Sequence, residues 1–139
     1  MINENSPENL SSEANRSGVW LTVAVLLSLL GLAIHNFQEF GTRGLTALDL
    51  GMLPVLAIQV AILLIWWFSP GWRRMMERAL LFFGGLHLIV GAVLSVLPFG
   101  FLPFTPDQST THYAAHVAYG ALQIPLIWFT LTLLRRSRS

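Results

Sequence analysis

Four long stretches without a charged residue divide this chain, and each one is long enough to cross a membrane as a helix. Charged side chains are absent from positions 17–38, 50–72, 79–106 and 108–134. Each stretch exceeds the roughly 20 residues that a helix needs to cross a hydrocarbon layer about 30 Å thick. Charged residues make up 11% of the 139 residues, far below the roughly 25% of a typical soluble domain. The sequence therefore predicts an all-α integral membrane protein with four spans.

The breaks between the apolar stretches predict where the helices begin and end. Glycine and proline interrupt the helical pattern at 41–44, 69–71 and 98–106. We expect helices at about 18–37, 47–68, 76–97 and 110–134, forming a single transmembrane domain of residues 18–134. Residues 1–17 are expected to be a disordered cytoplasmic tail, and residues 135–139 a basic cytoplasmic tail. Short connections favour an antiparallel, up-down-up-down four-helix bundle.

The arginines predict the orientation of the bundle, since the chain has eight arginines and no lysine. Seven of them precede the first span, separate the second from the third, or follow the fourth: Arg16, Arg73, Arg74, Arg78, Arg135, Arg136 and Arg138. Only Arg43 falls on the opposite side. Positive residues accumulate on the cytoplasmic side of membrane proteins. Both termini are therefore expected in the cytoplasm, and the cell (inner) membrane is the expected location.

Polar residues within the spans fall along stripes that are expected to face the bundle interior. At 3.6 residues per turn, the stripe in the fourth span contains His112, His116, Tyr119 and Gln123. The first span carries Ser28, Gly31, His35 and Glu39 on one side, and the third carries Gly84, His87 and Gly91. Ionisable residues within membrane spans are rare and generally functional. These stripes are therefore the candidate site.

Two histidines and a histidine–carboxylate pair near the outer ends of their spans suit a metal ion. His112 and His116 lie four residues apart, as do His35 and Glu39, so each pair shares one helical face. Imidazole and carboxylate groups are ligands of zinc and other transition metals. One hypothesis is therefore a metal site of His35, Glu39, His112 and His116.

A second hypothesis places haem b between the helices. His35 and His116 are expected at similar depth on different helices, where they can act as axial ligands of one iron, and His87 is a further candidate for cofactor binding. Gln59, His87 and Gln123 are expected about 15 Å below the outer ends of the spans. They predict a polar layer at the midplane, suited to hydrogen bonds between helices or to a water pocket.

Two classes of function follow from these residues. The first is an accessory or binding subunit of a membrane assembly, with the metal or haem as its sharper form. Its expected partners are membrane lipids and a protein partner or second copy, and no nucleic acid. The alternative is a small isomerase or reductase acting on a lipid or quinone, with His35 and Glu39, or His116 and Tyr119, as acid and base. A lipid-like substrate predicts an apolar lateral opening between helices.

The segment His35-Asn36-Phe37-Gln38-Glu39 resembles the first motif of the uncharacterised HxxEE membrane family. Gln38 stands where that family has its first glutamate. The resemblance covers five residues and implies no activity.

Overall fold

The computed structural model describes residues 7–43, 52–99 and 107–136, and within them the side chains of 12–37, 53–99 and 107–136. The beginning of the expected second span, at 47–51, and residues 137–139 of the expected basic tail lie outside this part of the chain.

The described residues form four helices. Helix α1 comprises Pro7–Arg43 and helix α2 comprises Met52–Phe68. A 3-10 turn at Pro70–Trp72 leads into α3, Arg73–Leu86, which continues as a π-helical segment, His87–Val93, and a 3-10 turn, Leu94–Val96. Helix α4 comprises Thr110–Arg136. The predicted all-helical class is confirmed.

Three of these helices are long and apolar enough to cross a membrane. The candidate spans are Ser12–Phe37, Pro70–Val96 and Thr110–Arg136. Within the described residues, Leu53–Phe68 is a shorter apolar helix. The sequence-based expectation of membrane helices is confirmed for three of the four. The expected beginning of α2, at 47–51, lies outside the described residues.

Helix α1 is longer at both ends than the sequence predicts. It begins at Pro7 rather than at about residue 18, so residues 7–17, expected to be disordered, are helical. Proline is favoured in the first turn of a helix, and the following Glu8 suits the positive end of the helix dipole. The helix also continues through Gly41 to Arg43, where the glycines predicted a turn. Here the helical context overrides the weak local preference of glycine.

Contacts between α1 and α4 follow a regular register. Glu13 lies 3.5 Å from Arg136, Ser28 hydrogen-bonds Gln123, and a ring nitrogen of His35 meets one of His116. Residue numbers thus rise along α1 as they fall along α4. Gly31 permits this close approach, because a Cβ atom there would lie 3.0 Å from Leu122 Cβ. Small residues commonly allow such packing between membrane helices.

The buried apolar side chains form two clusters. The larger contains Leu21, Ala24, Val25, Ile62, Leu63, Trp66, Met76, Leu80 and Leu126. The smaller contains Leu32, Ala92 and Tyr119, with Leu56 packed against it. Buried polar residues lie between the two clusters along the helices: Ser28, Gln59, His87 and Gln123. A polar layer therefore interrupts an otherwise apolar interior.

Candidate functional site

Two imidazole rings from different helices meet directly inside the bundle. The Nε2 atoms of His35 and His116 are 2.9 Å apart, and the Nδ1 atom of His116 is 3.2 Å from the carbonyl oxygen of Ala92. A carbonyl oxygen only accepts, so His116 donates from Nδ1. In the neutral ring the other nitrogen then carries no hydrogen and accepts. His35 therefore donates its Nε2–H to His116, and His116 donates its Nδ1–H to Ala92.

The four histidines of the chain and Tyr119 form a series of neighbouring rings, in which Tyr119 lies between His35 and His87. We call this series the histidine column, and it consists of His112, His116, His35, Tyr119 and His87. Ring centroids are 4.4 Å apart for His112 and His116, 4.3 Å for His116 and His35, and 5.4 Å for His35 and Tyr119. Tyr119 and His87 are 6.0 Å apart. The column runs from the first turn of α4 to the polar layer.

Helix α4 supplies most of the column, and the predicted stripe is buried. His112, His116, Tyr119 and Gln123 are each at most 4% exposed. Both polar atoms of the Gln123 amide are hydrogen-bonded. Its Oε1 accepts from Ser28 Oγ of α1 at 2.6 Å, and its Nε2 donates to the carbonyl oxygens of Ser28 and of Tyr119 in its own helix. This amide fixes the rotation of α4 against α1. Tyr119 and the histidines therefore face inward.

The beginning of α4 is capped by a polar turn. The hydroxyl of Ser109 accepts from the backbone N–H of His112 at 3.2 Å and donates to Asp107 Oδ2 at 2.6 Å. Asp107 Oδ1 also accepts from the backbone N–H of Ser109. The side-chain hydrogen bond from Ser109 is the main cause that lowers the pKa of the exposed Asp107 carboxyl below its ordinary value. This turn fixes the position of His112 at the end of the column.

The predicted metal site is not found among the described side chains. Three of its four residues come together, while the side chain of Glu39 lies outside the described part of α1. Among all the described residues, no group of three or more histidine, cysteine, aspartate or glutamate side chains is arranged to hold a metal ion. In the structure the lone pair of His116 Nε2 accepts the hydrogen bond from His35.

The His35–His116 pair also does not fit the predicted axial ligation of one haem iron. Ligand nitrogens on opposite sides of a metal are separated by two metal–nitrogen bonds, about 4 Å in all. The two Nε2 atoms are 2.9 Å apart, and the rings meet at an interplanar angle of 81°. His87, the third candidate cofactor ligand, lies on the far side of Tyr119. In the structure the His35 and His116 rings are hydrogen-bonded to each other.

An apolar groove of about 390 Å³ opens laterally beside His116. One wall belongs to the π-helical segment and its flanks, with Leu88, Ala92 and Val96. The other belongs to α4, with Val117, Ala121 and Ile124. Among the lining residues only Tyr113 and His116 carry polar side-chain atoms. From Tyr113 to Ile124 the groove extends about 16 Å along α4, given the helical rise of about 1.5 Å per residue.

The π-helical segment forms both the groove and part of the column. It begins at His87, and its Ala92 carbonyl accepts from His116. Gly91 lies against the phenol of Tyr119, since a Cβ atom there would be 2.8 Å from the hydroxyl oxygen. Short π-helical insertions widen a helix and are frequent at functional sites. The sequence pattern, read at 3.6 residues per turn, did not reveal this segment.

A second polar contact, at the other end of the bundle, was also missed by the sequence reasoning. Glu77 is 7% exposed and accepts from the indole N–H of Trp66 at 3.0 Å. Arg73 donates to the carbonyl oxygen of Trp66, and its guanidinium lies 4.7 Å from the centre of the indole ring. In the sequence Glu77 stands among Arg73, Arg74 and Arg78, which were interpreted only as indicators of membrane orientation. The spacing of Trp66 and Glu77 across Ser69-Pro70-Gly71 is the signal that indicates this hairpin contact.

No protein-family model, curated protein or solved structure matches the chain, so its function rests on the geometry alone.

Proposed function

We propose that this chain is a membrane protein that binds an apolar, lipid- or quinone-like molecule. The molecule lies in the lateral groove with its polar end beside His116. The groove itself carries the proposal: it is apolar along about 16 Å, and His116 is the one histidine in its wall. Ligand sites are typically apolar clefts of about 300–1,000 Å³ with a few polar groups that fix orientation. The groove volume of about 390 Å³ falls in this range.

The arrangement of polar groups along the groove orients the proposed ligand. Tyr113 and His116 lie toward the beginning of α4, and Ile124 lies deeper in the helix. The arginine distribution supports an antiparallel bundle with both termini in the cytoplasm. In that orientation the Tyr113 end faces the outer side of the membrane. The polar end of the ligand then lies near the interface, and its apolar part extends toward the bilayer centre.

Acid–base chemistry on the bound molecule is a second candidate function, favoured by the bonding of His116. Its Nδ1–H donates to Ala92, which also lines the groove. A ligand oxygen that replaces the Ala92 carbonyl receives the same hydrogen. When His35 is an imidazolium with hydrogens on both ring nitrogens, its Nε2 proton passes across 2.9 Å to His116 Nε2 as His116 releases the Nδ1 proton to the ligand. His35 is then left neutral, with its hydrogen on Nδ1. His116 thereby changes tautomer, and His35 is the immediate proton source.

The outward faces of the helices support a subunit role within a larger membrane assembly. Phe37, Phe82, Val117 and Trp128 are each at least 65% exposed in the isolated chain. Lipid tails or apolar helices of a partner or second copy are the surfaces that cover such side chains in a membrane. Binding of the groove ligand is therefore proposed as the task of an accessory subunit, with proton transfer as its enzymatic alternative.

Photolabelling tests the proposal. The protein is reconstituted in vesicles with a diazirine-bearing long-chain quinone analogue, irradiated, and digested for mass spectrometry. We expect saturable labelling of Leu88, Val93 or Val117, competed by the unlabelled quinone. Ala121→Phe fills the groove and is expected to reduce this labelling by about tenfold, equivalent to a loss of about 1.4 kcal/mol in binding.

Ala114→Phe is the matched control, because Ala114 is exposed on the same helix and does not line the groove. It is expected to leave the labelling unchanged. Uniform labelling of all lipid-facing helices that unlabelled quinone does not compete would overturn the proposal, since it would show only surrounding lipid.

A further inference from the structure

The polar layer at the middle of the bundle contains two buried side chains whose hydrogen-bonding groups are not used by the protein. Gln59 is fully buried, and neither its Oε1 nor its Nε2 atom has a hydrogen-bond partner among the described residues. The Nδ1 atom of His87, which is 6% exposed, likewise lacks a partner there. Buried amides and imidazoles are stable in an apolar interior only when they are hydrogen-bonded. Both groups therefore indicate a ligand.

Gln123 shows that the layer is otherwise well satisfied. It is as deeply buried as Gln59, yet both of its polar atoms are hydrogen-bonded to protein groups. Incomplete bonding is thus specific to the side of the layer formed by α2 and α3. Gln59 faces inward there, because Leu56 and Ile62, three residues to either side, pack in the two apolar clusters.

The hairpin contact between Trp66 and Glu77 fixes the relative depth of the two groups. Gln59 precedes Trp66 by seven residues and His87 follows Glu77 by ten. At about 1.5 Å per residue these steps correspond to about 10 Å and about 15 Å from the same level. Gln59 and His87 therefore differ in depth by about 5 Å. Leu56, one helical turn from Gln59, packs against the cluster that contains Tyr119, and the Tyr119 ring lies 6.0 Å from that of His87. Gln59 and His87 thus border the same part of the polar layer.

We propose that α2 and α3 enclose a bound-water site between Gln59 and His87. The Gln59 amide supplies both a donor and an acceptor, and His87 Nδ1 supplies either according to its tautomer. Buried waters typically make about three hydrogen bonds to groups that the protein leaves unsatisfied. The site extends the histidine column, because His87 is its innermost ring. It does not depend on a ligand in the lateral groove.

Water-edited solid-state NMR of the protein in lipid bilayers tests this site. With glutamine side chains labelled with ¹⁵N, magnetisation starts on water and is detected on each side-chain amide after a short mixing time. We expect the Gln59 signal to build up several-fold faster than that of Gln123. The Gln123 amide is the internal control, since it is equally buried and bonded to protein. Gln59→Met removes the signal and assigns it.

His87→Phe tests the second partner of the water. It is expected to slow the build-up at Gln59 while the Gln123 signal, and hence the α1–α4 contact, is retained. Equal build-up at Gln59 and Gln123 in the wild-type protein would overturn the proposal. An unchanged Gln59 rate in His87→Phe would remove His87 from the site. Neither result bears on photolabelling of the groove, so the two proposals fail separately.

Discussion

His35 Nε2 and His116 Nε2 are 2.9 Å apart, although 81 positions separate the two residues in the chain. The contact joins α1 to α4 at the level where the π-helical segment supplies the Ala92 carbonyl. Helix α1, helix α4 and the π-helical segment together therefore determine which ring nitrogen of His116 carries the hydrogen. This bonding places a hydrogen-bond donor, His116 Nδ1, next to the apolar groove.

The Ser28–Gln123 hydrogen bond is expected to stabilise the α1–α4 contact. Ser28→Ala leaves Gln123 Oε1 without its donor, and hydrogen bonds between membrane helices contribute about 0.6 kcal/mol on average and up to about 2 kcal/mol. We expect a loss of about 1 kcal/mol in the free energy of unfolding, measured by titration with a denaturing detergent. Thr132→Ala is the control, because the exposed hydroxyl of Thr132 donates to the carbonyl oxygen of Trp128 in its own helix. Equal effects of the two variants would contradict this assignment.

Gly91 is expected to tolerate no larger residue, in contrast to Gly85. A Cβ atom at Gly91 lies 2.8 Å from the Tyr119 hydroxyl, whereas one at Gly85 meets nothing within 4 Å. Overpacking of this kind costs about 1–3 kcal/mol, so Gly91→Ala should lower the unfolding free energy by that amount. Gly85→Ala should be neutral or slightly stabilising, since alanine is the better helix former. A destabilised Gly85→Ala beside a stable Gly91→Ala would show that the π-helical segment packs differently.

Glu77 is expected to matter for stability through Trp66. Glu77→Leu leaves the buried indole N–H without an acceptor, and an unsatisfied buried group costs about 1–3 kcal/mol. Glu77→Gln keeps an acceptor oxygen and should recover most of this loss. The exposed neighbour Arg78 provides the control Arg78→Gln, for which we expect little change. Identical unfolding free energies for Glu77→Leu and Glu77→Gln would exclude the Trp66 hydrogen bond as the cause.

The cap at Ser109 predicts a pH dependence at the beginning of α4. Hydrogen bonds from Ser109 lower the pKa of Asp107 in the folded chain. A carboxyl whose folded pKa lies below its unfolded value stabilises the fold above the unfolded value, and this contribution is lost as the pH falls through the folded pKa. Ser109→Ala should raise the Asp107 pKa toward its ordinary value of 3.8, as followed by ¹³C NMR of the carboxyl group. An unchanged titration would contradict the cap.

Periodicity and charge predicted much of this molecule, because both act locally. The uncharged stretches gave the helices, and the stripe on α4 gave the buried face with His116 and Tyr119. Depth counting also placed His35 and His116 at one level. Spacing along one helix does not define contacts across helices, however. The hydrogen bond between His35 and His116 therefore emerged only from the structure.

The remaining differences have the same physical origin. The π-helical segment at His87–Val93 packs at Gly91 against Tyr119 of another helix, a contact that no local pattern encodes. The 2% exposed Trp66 bonds Glu77 across a turn of the chain. The groove likewise lies between two elements, the π-helical segment and α4. These features depend on side-chain packing between elements rather than on the composition of either one.

The most direct test of the account is a ¹⁵N solid-state NMR spectrum of histidine-labelled protein in bilayers, recorded without and with the long-chain quinone. Without the quinone, His116 should carry its hydrogen on Nδ1 and His35 should carry one on Nε2. Saturating quinone should shift the His116 Nδ1 resonance, because the ligand competes with the Ala92 carbonyl for this hydrogen. A His116 ring protonated only on Nε2, or a spectrum that the quinone leaves unchanged, would contradict the account.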